Sequence, residues 1–201
     1  MLKRSFDLIA ALIGVVLLSP VMIFLALLVL LESGWPVFYR AERVGLHGAP
    51  FRILKFRSMR TSSDGHHSHH SGDDDPRITR VGHILRKYKL DELPQLLNVV
   101  IGKMSLVGPR PETIEYAKFY TEEELVIFSV RPGITDEASI EFADLGSILA
   151  GGDPDKLYFE KVWRVKMDLR MKYVREHSFS GDLKLIFLTL ATPFTRRPRR
   201  Q

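Results

Sequence analysis

Residues 8–31 read LIAALIGVVLLSPVMIFLALLVLL. The run carries no charge, and Ser19-Pro20 sits near its centre. A hydrocarbon core of ~30 Å takes roughly 20 helical residues to cross, so this segment is long enough to enter a membrane. A cleaved leader fits less well. MLKR resembles a basic leader start, but the apolar stretch is too long and no small-x-small cleavage site follows. Pro20 has no amide hydrogen, so the carbonyl of Val16 loses its helical partner, and Ser19 is pushed away from helical geometry. A kink is expected there. The Ser19 hydroxyl could bond the freed carbonyl, which makes a bend tolerable in lipid.

Charges on either side bear on how the helix sits. Lys3 and Arg4 precede the run, and Arg40, Arg43, Arg52, Lys55, Arg57 and Arg60 follow it. Basic residues near membrane ends tend to remain cytoplasmic. A straight span exports one of the two groups, whereas a helix that bends at Ser19-Pro20 and returns keeps both inside. On charge and proline alone, a kinked single span and a re-entrant helix both stand.

The whole chain of 201 residues is 45% hydrophobic and 26% charged, with its apolar content concentrated near the start. It suits a membrane element at 1–36 followed by one compact domain at 37–201. It has no cysteine, which excludes disulfides, thiolate catalysis and Cys-ligated zinc. A net charge of +5 favours anionic partners: lipid headgroups, phosphates or nucleic acid.

Past the membrane segment, Val37–Arg40 and Phe51–Phe56 predict short strands around a Gly45–Pro50 turn. Residues 61–77 are polar and of low complexity. Their histidines (His66, His67, His69, His70) are read as solvated rather than as a metal site. Amphipathic spacing predicts a helix over 78–90, another over about 92–100, and a third starting at Pro111. Thr121 and Glu124 suggest a capping box, and Arg131-Pro132-Gly133 a turn. Residues 155–176 predict a long helix with Leu157, Val162, Val165 and Leu169 on its apolar side. The apolar helix at 181–191, followed by RRPRR, either lies on an anionic membrane surface or packs as a core helix. The fold class is α+β, mainly helical, with short strands and amphipathic interfacial helices.

The chemistry concentrates in LRKYKLDELPQLLNVVIGKMSLVGPRPE, residues 85–112. Asp91 is read as the N-cap of the helix that follows, with Pro94 in its first turn. Such a position favours carboxylate anions and binds phosphate. An ionised Asp held there could attack phosphorus. Glu92 could ligate Mg²⁺, a hard cation that takes few carboxylates beside substrate phosphates. Arg110, clamped between Pro109 and Pro111, makes a restricted phosphate fork. Arg86, Lys55 and Arg57 add cationic reach. Each residue also has a bland alternative: a helix cap for Asp91-Glu92, solvated surface for the basic side chains.

Several motifs appear in order: KRxFD near the start, Ser19-Pro20 in the apolar run, KFRSM at 55–59, LDELPQL at 90–96, MSLVGPRP at 104–111 and RPGIT at 131–135. Together they resemble the bacterial sugar transferases, the monotopic phosphoglycosyl transferases, over nearly the whole chain. The likeness is to their small, catalytic-core members. It implies that a UDP-sugar donates sugar-1-phosphate to undecaprenyl phosphate, releasing UMP, with the enzyme on the cytoplasmic face of the bacterial inner membrane. It implies that Asp91 is the nucleophile, forming a phosphosugar-enzyme intermediate, and that Glu92 is associated with Mg²⁺. Arg110 is associated with phosphate binding, with Lys55, Arg57, Arg86 and Arg131 as further cationic candidates. It also favours a re-entrant helix bent at Ser19-Pro20. One departure stands out: many relatives continue RPGIT with Gly, where this chain has Asp136-Glu137-Ala138-Ser139-Ile140-Glu141-Phe142.

The rival class is a membrane-anchored protein that binds anionic lipid or an assembly partner without turnover. Nucleic-acid binding lacks a motif or an aromatic platform, so no nucleic-acid partner is expected. The sugar, the pathway and the oligomeric state, a homodimer included, stay open.

Overall fold

The computed structural model describes residues 2–60, 72 and 74–192. The histidines at 66, 67, 69 and 70 and the RRPRR tail lie outside the described residues. A helix, α1 (Leu2–Ser33), opens the fold. A hairpin follows, β1 (Phe38–Val44) and β2 (Pro50–Phe56), antiparallel with Phe38 opposite Phe56 and Val44 opposite Pro50. Next come α2 (Arg80–Lys87), a 3₁₀ turn at Leu90–Glu92 and α3 (Gln95–Val100). Strand β3 (Ser105–Val107) precedes α4 (Ile114–Ala117) and a 3₁₀ segment at Glu124–Ser129. Strand β4 (Gly133–Thr135) pairs in parallel with β3, Ser105 opposite Gly133 and Val107 opposite Thr135. The remainder is helical: α5 (Glu137–Glu141), α6 (Leu145–Ile148), α7 (Pro154–Tyr158), a π turn at Phe159–Trp163, α8 (Arg164–Glu176) and α9 (Phe179–Ala191). The mainly helical α+β class is thus observed.

Among the described residues, α1 alone is long and apolar enough to cross a membrane. It runs without a break through Pro20. The Ser19 hydroxyl donates to the Val16 carbonyl at 2.8 Å, filling the bond that Pro20 cannot make. Both ends of α1 dock on the rest of the chain. At the first end, Lys3 reaches the Val107 carbonyl and Asp182, Arg4 binds the carbonyls of Val99 and Val100, and buried Asp7 accepts from the Ser105 hydroxyl at 2.7 Å. Ala11 packs with Phe51, Ile53, Val99 and Met104. At the other end, Leu25 and Val29 pack with Val37, Phe56 and Leu85. Glu32 accepts from the Arg80 and Val81 amides, filling free N–H groups at the start of α2. Between the docked ends the helix is bare, with Val16 and Leu17 each 70% exposed.

Local chemistry explains the shorter elements. Thr79 caps α2 by accepting from the Gly82 amide, so that helix starts at Arg80 rather than 78. Thr113 caps α4, so the predicted helix at Pro111 begins three residues later. The Thr121–Glu124 capping box forms: Glu124 Oε2 accepts from the Thr121 amide at 2.9 Å, and Thr121 Oγ1 accepts from the Glu124 amide at 3.4 Å. Arg131-Pro132-Gly133 is not a free turn, because it leads directly into β4. There the absence of a side chain at Gly133 decides the geometry, since a Cβ would collide with the backbone of Gly108. The 155–176 prediction needs two corrections. The helix is interrupted by the π turn, and its inner face is Tyr158, Val162, Met167, Arg170 and Tyr173, with Val165 exposed.

Candidate active site

Asp91 and Glu92 sit in the 3₁₀ turn between α2 and α3. Lys89 precedes it in the left-handed region at φ +57°. Asp91 is not an N-cap, which corrects the expectation from sequence: Pro94 occupies that place, and α3 makes no side-chain cap bond. A helix dipole therefore does not explain the site. Asp91 is buried, and its Oδ1 has no hydrogen-bond partner. Burial pushes its carboxyl above the usual carboxylate range, against the pull of Lys55 and with a further push from Glu92. Lys89 and Arg110 add positive potential.

Glu92 is fully engaged. Its Oε1 accepts from Lys55 Nζ at 2.9 Å and its Oε2 from Arg110 Nη1 at 2.8 Å, and Arg110 Nη2 closes a second contact on Oε1. Burial alone would raise the Glu92 carboxyl. Arg110 and then Lys55 overcome it and hold the group well below the usual range. Two carboxylates and the cations Lys55, Lys89 and Arg110 thus lie within electrostatic reach of one another. That arrangement holds a surplus of positive charge for an incoming anion.

Three elements bring these groups together. Lys55 comes from β2, which α3 grips through Asn98: its Oδ1 accepts from the Leu54 amide and its Nδ2 donates to the Arg52 carbonyl, both at 2.9 Å. Arg110 follows β3, and Gly108 before it pairs with the Thr135 carbonyl at 3.0 Å. The Arg110 guanidinium also donates to the Ile134 carbonyl at 3.1 Å.

The described contacts of the other predicted cations lie elsewhere. Arg57 donates to the carbonyls of Ser33 and Gly34, tying off the end of α1. Arg86 lies against Met59, its Nη1 3.5 Å from the sulfur. Arg131 donates from Nε to the Gly102 carbonyl at 3.1 Å. Ser19 and Pro20 lie in the bare stretch of α1.

Behind Arg110 lies a buried network that the sequence reading missed. Glu112 Oε2 accepts from Lys166 at 3.1 Å and from Arg170 Nη1 at 3.0 Å. Arg170 also donates to the Tyr120 hydroxyl at 2.8 Å and to the Arg110 carbonyl at 2.7 Å. Burial would raise the Glu112 carboxyl, but Lys166 and Arg170 bring it down to about 2. Burial, with Arg170 alongside, lowers the Lys166 amine to about 8. One signal could have found these residues. Tyr158, Val162, Lys166 and Arg170 recur every four residues, so both cations share the stripe that faces inward. Lys89, inside the quoted LRKYKLDELPQ, was legible as a cation two places before Asp91.

The fit to Mg²⁺ can be judged from the donors. Among the described residues no group of three or more His, Asp or Glu side chains is placed to hold a metal. The dyad offers two carboxylates, one with an unpartnered oxygen. That suits Mg²⁺, which takes one or two carboxylates and completes its shell with substrate phosphates and water.

The family described as Bacterial sugar transferase matches residues 1–196. The chain belongs to the bacterial sugar transferase family. Among its relatives, the chain is 40% identical over 192 residues to the "Uncharacterized sugar transferase EpsL" of Bacillus subtilis (strain 168), covering 94% of this chain and 85% of the relative. It is 39% identical to the UDP-glucose:undecaprenyl-phosphate glucose-1-phosphate transferase of Escherichia coli (strain K12), over 98% of this chain and 41% of the relative. It is 37% identical to the UDP-N-acetylgalactosamine-undecaprenyl-phosphate N-acetylgalactosaminephosphotransferase of Aeromonas hydrophila, over 96% of this chain and 44% of the relative. The chain therefore spans under half the length of the last two.

Proposed function

We propose that this protein moves sugar-1-phosphate from a UDP-sugar to undecaprenyl phosphate through a covalent intermediate on Asp91. The observation that carries the reading is the dyad itself: a buried Asp91 with an unpartnered oxygen beside cations that a diphosphate can claim. The donor diphosphate draws Lys55 and Arg110 toward its own oxygens, in exchange for their present bonds to Glu92. A carboxylate oxygen of Asp91 attacks the phosphorus that bears the sugar. A new P–O bond forms, the bond to the UMP oxygen breaks, and UMP leaves. An oxygen of undecaprenyl phosphate then attacks the same phosphorus. The Asp91–phosphorus bond breaks, and the diphosphate-linked lipid departs with its sugar. Lys89, Lys55 and Arg110 stabilise charge on the phosphoryl oxygens throughout. Glu92, once Lys55 and Arg110 turn to the diphosphate, would hold Mg²⁺ with substrate phosphate, and the ion would neutralise charge on the transferring group.

We also read α1 as re-entrant, with residues 1–36 as the membrane element and 37–201 as the cytoplasmic domain. Its 32 residues measure ~48 Å if straight. A spanning helix of that length carries its two ends to opposite sides of the bilayer. Here Lys3, Arg4 and Asp7 at one end and Glu32 at the other dock on one body, and the bare stretch between them is centred near Ser19-Pro20. That pattern supports a helix that enters and leaves on one face, in the inner membrane.

The test is UMP release from a panel of UDP-sugars, with undecaprenyl phosphate and Mg²⁺, by the full chain in nanodiscs. Release with one donor, lost in Asp91→Asn, is the expected result. No release with any donor returns the protein to the lipid-binding or assembly reading.

A further inference from the structure

Pro109 and Pro111 have no amide hydrogen, so the N–H of Arg110 is the one backbone donor in that tripeptide. It donates to Asp136 Oδ2 at 2.9 Å, and the carbonyl of the same residue accepts from Arg170 Nη2 at 2.7 Å. Both holders are themselves fixed. Asp136 is the N-cap of α5, its Oδ1 accepting from the Ser139 amide at 2.7 Å and the Ser139 hydroxyl at 2.6 Å. Arg170 is pinned by Glu112 and Tyr120, and its Nε lies 3.7 Å from Asp136 Oδ2. The side chains of Arg170 and Asp136 are only 1% and 3% exposed.

A buried arginine beside a buried aspartate is expensive to maintain for fold alone. Its bonds converge on the backbone of one residue, whose guanidinium holds Glu92. We infer that Asp136 and Arg170 are positioning residues for Arg110: they clamp its amide and carbonyl so that its guanidinium meets the dyad and the donor diphosphate in one orientation. Asp136 is then the acidic half of a paired device, with Arg170 its basic half. The inference rests on Arg110 serving the donor as proposed above.

The variant Asp136→Ser separates clamp from cap. Serine caps a helix as well as aspartate does, so α5 keeps its start. Its single hydroxyl is too short to serve Ser139 and Arg110 together. In nanodiscs, kcat and KM for UMP release are measured for wild type, Asp136→Ser and Asp136→Asn, each also in an Arg110→Ala background. A misplaced positioning group costs roughly tenfold to a hundredfold. The expected result is a loss of that size in kcat/KM for Asp136→Ser and also for Asp136→Asn, whose one oxygen caps Ser139 while its Nδ2, a donor, cannot accept from the Arg110 amide. Asp136→Ser then adds less than about twofold to the Arg110→Ala loss. Equal losses in both backgrounds, or none in either, overturn the inference. Arg170→Lys cannot reach Glu112 and the Arg110 carbonyl together, so it asks the same question should Asp136→Ser not fold. A crystal structure of the variant decides without turnover. Arg110 displaced from Glu92 supports the clamp, and an unchanged ion pair overturns it. If wild type turns over no donor, the proposed reaction fails, and the structure still decides the clamp.

Discussion

Glu112→Gln removes the anion at the centre of the buried network behind Arg110, and its cost can be worked from the structure. The Glu112 carboxyl is held at about 2 against an ordinary 4.5, because Lys166 and Arg170 more than offset its burial. That difference, at about 1.4 kcal/mol for each pH unit, amounts to about 3 kcal/mol. Breaking a buried pair by removing one partner costs ~3–5 kcal/mol, a range that meets this figure. A chain of this size loses ~2–4 °C in Tm for each kcal/mol, so the variant should melt roughly 6–12 °C below wild type at pH 7. The sign with pH follows from linkage. A depressed carboxyl contributes stability that is fully present above its ordinary value of 4.5 and lost as pH falls through about 2. The gap between wild type and variant should therefore narrow as pH falls from about 4.5 toward 2. Thermal unfolding of the purified proteins in one detergent, followed by tryptophan fluorescence, reads both. A gap below about 2 °C, or one that does not change with acid, refutes the reasoning.

Three further outcomes are expected. Asp91→Asn should lose turnover, stay in the membrane fraction and melt slightly higher than wild type at pH 7, because it removes a buried charge whose folded pKa is raised. That advantage is full above the folded pKa, fades as pH falls through it and is gone below the unfolded value of ~3.9, so a lower melting point at pH 7 or retained turnover contradicts it. Gln95→Met should raise stability by about 1 kcal/mol, since Gln95 is 0% exposed and neither its Oε1 nor its Nε2 has a partner, and chemical denaturation that shows a loss sinks the idea. Pro20→Ala returns an amide to the Val16 carbonyl and should straighten the apex of α1. In a chain without native cysteine, Leu2→Cys should then become accessible to an impermeant thiol label on the outer face of intact cells, and identical labelling with and without Pro20 counts against re-entry.

Legibility in the sequence followed the range of the interactions. Local patterns sufficed for α1, for the hairpin around Gly45–Pro50 and for the Thr121–Glu124 box, because charge, turn residues and capping partners lie within a few positions. Asp91-Glu92 stood out for the same reason, although the cap assigned to Asp91 fell to Pro94: the chain turns through Lys89 in a left-handed conformation, which a non-glycine residue does not advertise. Cations were easy to nominate and hard to sort. Lys55 and Arg110 reach the dyad, whereas Arg57 ties down α1 and Arg131 holds Gly102. Nothing local distinguishes a guanidinium that meets a carboxylate from one that meets a carbonyl. The network of Glu112, Asp136, Lys166 and Arg170 joins parts of the chain far apart in sequence, and only the parallel pairing of β3 with β4 and the packing of α8 bring them together.

The most direct measurement is mass spectrometry of the full chain in nanodiscs, quenched in acid seconds after mixing with its UDP-sugar and Mg²⁺ in the absence of undecaprenyl phosphate. An added mass of one sugar phosphate is expected on the peptide containing Asp91, and it should disappear when undecaprenyl phosphate is supplied. UMP formed with both substrates present, but no adduct on that peptide at any time, would contradict a covalent intermediate on Asp91.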